Sequence, residues 1–130
     1  MIRDYALAFA HCSEAASHDD AEAQYYLAVM YGLGLGVAQD YAAAVRWYRS
    51  AAELGEVRAQ SGLGFMYGTG RGVPQDFVQA YAWYNLAAAA ADEVARRNRD
   101  AIAAQMSANQ VEHAQQLSTE LFDRIERRSG

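Results

Sequence analysis

The sequence predicts an all-α fold built from a repeated pair of helices, and three observations carry that prediction. The chain of 130 residues holds 28 Ala, a single Pro and few β-branched residues, a composition that favours helix over strand. Shifted against itself by 36 residues, it matches at 16 of the 34 positions from 23 to 56, so one structural unit occurs more than once. Within each unit the matching apolar residues fall three and four apart, which is the spacing of one helix face.

The first element, in residues 1–20, is the second helix of a partial repeat. Asp4-Tyr5-Ala6, Ala8 and Ala15-Ala16 stand 36 residues before Asp40-Tyr41-Ala42, Ala44 and Ala51-Ala52, so the chain opens in mid-repeat. The acids of His18-Asp19-Asp20 are placed to cap the next helix. Repeat one, residues 21–56, begins with a helix whose packed face is Ala23, Leu27, Met30 and Tyr31. Gly32, Gly34 and Gly36 end it, since glycine takes positive φ without strain. Val37 then turns into the core and Asp40 caps a second helix carrying Ala44, Trp47-Tyr48 and Ala51-Ala52, with Gly55 as its C-terminal stop. Small residues let the helices approach while the aromatics fill the gaps, so Trp47 and Trp83 are expected to be mostly buried.

Repeat two, residues 57–91, restates this with Ala59, Leu63, Met66, Tyr67, the glycines 68, 70 and 72, Val73, and Asp76 joined by Gln79 in a box-like cap. Ala80, Trp83-Tyr84 and Ala87-Ala88 follow. Ala91 replaces the glycine found at Gly55, which predicts a differently built second junction. Residues 92–130 keep Ala95 in register but lose the glycine loop and read as C-terminal capping helices, the last amphipathic through Val111, Leu117, Leu121 and Ile125.

Composition excludes several functions. With 11 Arg and no Lys, the chain has no P-loop lysine, no Schiff-base lysine and no Ser-x-x-Lys acyl-transfer motif. Net charge is −5, and residues 1–56 carry three Arg against eight acids, which argues against nucleic acid as a partner. Cys12 is the only cysteine and cannot form an intramolecular disulfide. No apolar run approaches the ~20 residues of a membrane span. Met1-Ile2-Arg3 followed by residues 7–12 has the outline of a lipoprotein signal, but Asp4 interrupts it and His11 precedes the cysteine where a small residue is needed. The expected location is cytoplasmic for a complete chain, with periplasmic or secreted placement left open for a fragment. Arg-only, Ala-rich composition fits a bacterial, high-GC genome.

The pattern A-x-x-x-L-G/A-x-M-Y-G-x-G-x-G-V-x-Q-D-aromatic, then A-x-x-W-Y-x-x-A-A, resembles the SEL-one-like repeat family, relatives of the tetratricopeptide repeats. The resemblance is strongest over residues 21–91. Ala28, where the family has the glycine seen at Gly64, and Ala91 depart from its pattern and bear on local packing. The resemblance implies an α-α superhelix, a solenoid of antiparallel helix pairs whose first helices line a concave groove for a peptide or partner protein. It assigns to that groove Glu22, Tyr25, Val29 and Leu33 in repeat one and Arg58, Ser61, Phe65 and Thr69 in repeat two, with Arg97 in line with Ser61. The two copies agree at core positions and differ at these. The competing reading is that Tyr25 and Phe65 pack between neighbouring helices.

Catalytic signals are weak. Gly32-x-Gly34-x-Gly36 follows a helix, lacks G-x-G-x-x-G spacing and recurs, so it reads as a turn. Adjacent His11 and Cys12 point about 100° apart on a helix, and Cys12 falls at the Tyr48 position as a buried thiol. His113 lies alone on a polar face. Arg96, Arg97, Arg99, Arg124, Arg127 and Arg128 interleave with acids as solvated faces, with an anion or acidic-peptide site near Arg97 as the sharper alternative. The reading is therefore a single domain of residues 1–130, non-catalytic, with no cofactor and no metal, binding protein or peptide. The alternatives are a structural module self-associating as a homodimer through its N-terminal helix, and, remotely, a hydrolase, since β-lactamase activity has been described within the family.

Overall fold

The computed structural model describes residues 4–129, which form seven helices: α1 (Tyr5–Ala16), α2 (Ala21–Leu33), α3 (Tyr41–Glu53), α4 (Val57–Thr69), α5 (Phe77–Ala89), α6 (Glu93–Ala103) and α7 (Ala108–Ser129). Among the described residues there is no strand. Packing runs α1 on α2, α2 on α3, α3 on α4, α4 on α5 and α5 on α6, the order of a solenoid. Each helix from α1 to α6 starts on an acid. Asp4, Asp20, Asp40, Glu56, Asp76 and Asp92 each accept a hydrogen bond from a first-turn amide, satisfying donors that would otherwise be orphaned. At α7 the cap is reciprocal: Gln110 N donates to Ser107 Oγ, and Ser107 N donates to Gln110 Oε1.

Two devices fix the repeats to one another. The Nε2 of Gln24 donates to Ala16 O, and that of Gln60 to Ala52 O, so each first helix is tied to the end of the helix before it. Both glutamines are buried. The glycine loop does the rest. Gly34 and Gly70 cap α2 and α4 in the left-handed region. Gly36 and Gly72 instead lie against backbone, where a Cβ would stand 2.2 Å from Tyr5 O and 2.4 Å from Tyr41 O. Gln39 and Gln75 brace the loop by donating to the carbonyls of Gly32 and Gly68.

The second junction corrects the expectation drawn from Ala91. It has the same construction as the first: Asp92 N donates to Ala87 O as Glu56 N does to Ala51 O, and Ala91 N to Ala88 O as Gly55 N does to Ala52 O. Ala91 takes φ 71°, and Asp19 φ 62° at the equivalent place before α2. Turn geometry follows from these hydrogen bonds, and a Cβ at that site raises its energy without changing its shape.

The core is alanine on one side and aromatic on the other. Ala44, Ala51, Ala52, Ala59 and Ala82 are fully buried beside Leu63, Val45 and Trp83. Trp83 is 1% exposed, because α7 folds back along α5 and sets Leu121 and Ile125 into the same cluster. Trp47 is only half-buried, packed on Ala16, Ala23 and Leu27 with Phe9 and Cys12. The two tryptophans differ because α7 packs along α5 of repeat two and is not part of the cluster around Trp47. Arg124 and Arg128 of α7 pair with Glu53 of α3, at 3.0 and 3.6 Å, fastening its C-terminal end.

Candidate groove on the first-helix face

The first helices α2, α4 and α6 present neighbouring faces. Their core stripe turns toward α3 and α5, which leaves the residues one helical step away uncovered. Glu22 is exposed, Tyr25 and Val29 are half-buried and Leu33 is exposed; on α4, Arg58, Phe65 and Thr69 are exposed and Ser61 is half-buried. Leu33 is 66% and Phe65 43% accessible.

At one end, Arg58 gathers its neighbours. Its guanidinium meets Glu56 at 2.9 Å and Glu22 at 3.4 Å, donates to the Tyr26 hydroxyl, and stands 4.6 Å from the centre of the Tyr25 ring. Hydrogen bonding to Glu56, then to Tyr26, raises the Arg58 pKa, and the same Arg58 bond lowers that of Glu56. This end therefore stays zwitterionic and internally paired.

Further along the face lie two hollows. The first, about 170 Å³, is walled by Val29, Leu33, Phe65 and Arg71 over a floor of Tyr41 and Tyr48. The second, about 310 Å³, is walled by Phe65, Thr69, Ala101 and Gln105 over Phe77, Tyr84 and Ile102. Most second-hollow positions are first-hollow positions advanced by 36 residues, so the face repeats one site with Phe65 as the shared wall. Tyr48 and Tyr84 stay neutral over the physiological range. Burial pushes the Tyr48 phenol up to about 12, with Tyr25 adding to it, and burial likewise raises Tyr84 to about 12 against a lowering hydrogen bond from Asn98.

Tyr48 and Tyr84 each rest on a glycine. The Tyr84 ring lies where a Cβ on Gly64 would come within 3.0 Å, and the Tyr48 ring where one on Gly62 would come within 2.5 Å. Arg71 stands beside the shared wall, 5.2 Å from the Phe65 ring centre and 5.7 Å from that of Tyr41.

Of the residues the sequence assigned to the groove, Glu22, Tyr25 and Arg58 meet in one cluster, and Val29, Leu33, Phe65 and Thr69 line the hollows. Ser61 and Arg97 line neither hollow. Arg71, Tyr41, Tyr48 and Tyr84 were missed as groove residues. Tyr48 and Tyr84 read as core from the repeat, and they are core on one side; the glycines at 62 and 64 were the available sign that their rings needed room. Arg71 replaces Leu35 of repeat one, so no periodic signal marks it.

Elsewhere, a larger hollow of about 590 Å³ lies between α3 and α7, among Arg46, Arg49, Glu53 and Arg128. Its charges are partly matched: Glu53 takes Arg128, and Arg49 donates to the Tyr67 hydroxyl at 2.6 Å. Among the described residues no three His, Cys, Asp or Glu side chains converge as a metal site, and no helix is long and apolar enough to cross a membrane.

The sequence model described as the Sel1 repeat matches residues 1–20, 21–56 and 57–92. No match was found among curated proteins. Among solved structures, the chain is similar to a protective antigen present in uropathogenic Escherichia coli strains displaying an SLR fold, at 32% identity and a TM-score of 0.87, over 90% of this chain and 25% of that one. A Sel1 repeat protein from Oxalobacter formigenes is 29% identical with a TM-score of 0.72, over 76% of this chain and 41% of that one. The chain thus spans a quarter to two fifths of the length of these relatives.

Proposed function

Because the chain belongs to the Sel1 repeat family, whose repeats are generally protein–protein interaction modules, we propose that it is a non-catalytic scaffold holding a peptide or partner segment on the face formed by α2, α4 and α6. The observation that carries this is the pair of like hollows set one repeat apart, beside exposed Leu33 and Phe65. Stranded apolar side chains on a small domain mark contact surfaces, and aromatic and arginine anchors dominate such interfaces. The test is affinity capture with the intact chain against Phe65→Ala and Leu33→Ala. Both positions are exposed, so both variants should fold, and loss of the captured partner in both is the expected result. Retention of every partner by the pair overturns the reading.

A second reading has its own observation. On α1 only Ala16 is buried, and Leu7 is 54% accessible beside half-buried Tyr5, Phe9 and Cys12. A second copy packing on that face would close it, most simply about a two-fold axis. Light scattering of the wild type and of Leu7→Glu decides it: a dimer mass that falls to monomer in the variant supports self-association, and a monomer at all concentrations rejects it.

A further inference from the structure

We propose that the segment held on the α2–α4–α6 face is an extended peptide carrying a carboxylate flanked on both sides by apolar side chains, with Arg71 as the carboxylate's partner. The proposal rests on the peptide-binding reading above and specifies its ligand.

Three observations converge on it. First, the hollows are of side-chain size, about 170 and 310 Å³, at or below the lower end of the ~300–1,000 Å³ of small-molecule pockets. Two small, like recesses set side by side suit successive side chains of one chain, and an extended peptide presents alternate side chains to the same surface. Second, Phe65 is the ridge between the recesses, and Arg71 lies over that ridge. A group bound by Arg71 is therefore placed between whatever enters the two hollows.

Third, the charge is one-sided. The chain carries 16 acids and a net charge of −5, yet among the described residues no acid lines either hollow, and Arg71 is the only charged one that does. Arg58, Arg96, Arg99, Arg124 and Arg128 each have a carboxylate partner, and Arg46, Arg49, Arg97 and Arg127, which have none, line neither hollow. Arg71 has none among the described residues and is held only by the rings of Phe65 and Tyr41. The two rings hold the guanidinium beside the ridge and leave its donors free for a two-point bond to a carboxylate. Below them, neutral Tyr48 and Tyr84 add no competing charge.

The experiment uses fluorescein-labelled peptides of ~8 residues with two Leu flanking one Asp at two spacings. Companion peptides carry Lys for the Asp, or Ser for both Leu. Anisotropy titrations are run with the full chain and with Arg71→Gln, Arg71→Lys, Phe65→Ala and Leu33→Ala, each checked for unchanged helicity. The Asp peptide is expected to bind the wild type at least about tenfold more tightly than either companion. Arg71→Gln should lose about tenfold on that peptide and erase its preference over the Lys version, while Arg71→Lys keeps the preference. Equal binding of the Asp and Lys peptides, or a preference that survives Arg71→Gln, overturns the carboxylate assignment. If Phe65→Ala and Leu33→Ala still weaken binding in that case, the groove stands and only its ligand is wrong. If those two variants change nothing, or no peptide binds up to about 1 mM, the groove reading falls as well.

Discussion

Ala91 is held at φ 71°, a backbone that costs a residue with a Cβ roughly 1–2 kcal/mol. Ala91→Gly should therefore raise stability by about 1 kcal/mol, discounted for the extra freedom glycine adds to the unfolded chain. A thermal melt a few degrees higher is the expected result, and an unchanged or lower melting point contradicts it. Gly72 predicts the reverse. Gly72→Ala combines positive φ with a Cβ 2.4 Å from Tyr41 O, and should cost about 2–3 kcal/mol. Residue identity alone does not separate these cases. Glycines 32, 34 and 36 look alike in the sequence, yet Gly34 serves conformation, Gly36 serves close approach, and a Cβ on Gly32 would meet only the Ala44 methyl at 3.9 Å. Glu56 adds a pH signature. Its bond to Arg58 holds its pKa below the ordinary 4.5, so its contribution to stability is present above that value and is lost as pH falls through the lowered one. As pH falls from about 5 through the lowered value, the wild type should lose stability faster than Glu56→Gln, as read from melts across the acid range.

At the scale of helices, the two tryptophans separate what repetition reveals from what it hides. Their shared spacing placed both in the core, and the repeat correctly marked Asp40 and Asp76 as caps. It carried no information on α7, because that helix has no repeated partner: amphipathicity says which face is covered, not by what. The fold-back of α7 onto α5, rather than α6, is what closes Trp83 and leaves Trp47 ajar. Trp83→Ala should consequently cost about 3–5 kcal/mol and Trp47→Ala clearly less. Leu121→Ala, within the same cluster, should cost about 2–5 kcal/mol and shift tryptophan emission to the red. Equal losses at the two tryptophans would mean that α7 does not cover Trp83 in solution.

Across the whole molecule, stability should be graded along the chain. Helix α1 packs chiefly on α2 and buries one residue, whereas α5 packs against α4, α6 and α7. Native-state hydrogen exchange is expected to show α1 opening at the lowest free energy and α5 at or near the global value; uniform protection would contradict it. The same linear order explains why the first-helix face was readable in outline. The family resemblance assigned Glu22, Val29, Leu33 and Phe65 to it, and helical spacing puts each set on one face, whereas Arg71 and the floor tyrosines depend on how adjacent repeats seat against each other, and no single helix encodes that.

That seating is backbone against backbone, Gly36 on Tyr5 and Gly72 on Tyr41, so it makes no demand on the side chains at either helix start. Copying a block of 36 codons in tandem would hand each new loop glycine an equivalent carbonyl upstream. An insertion of any other length between that glycine and the helix start it rests on would pull the two out of phase. Growth by whole-unit duplication is thus open to the gene, while slippage by one or two codons in the same stretch is not, and point substitution can meanwhile rewrite the exposed first-helix stripe without disturbing the join.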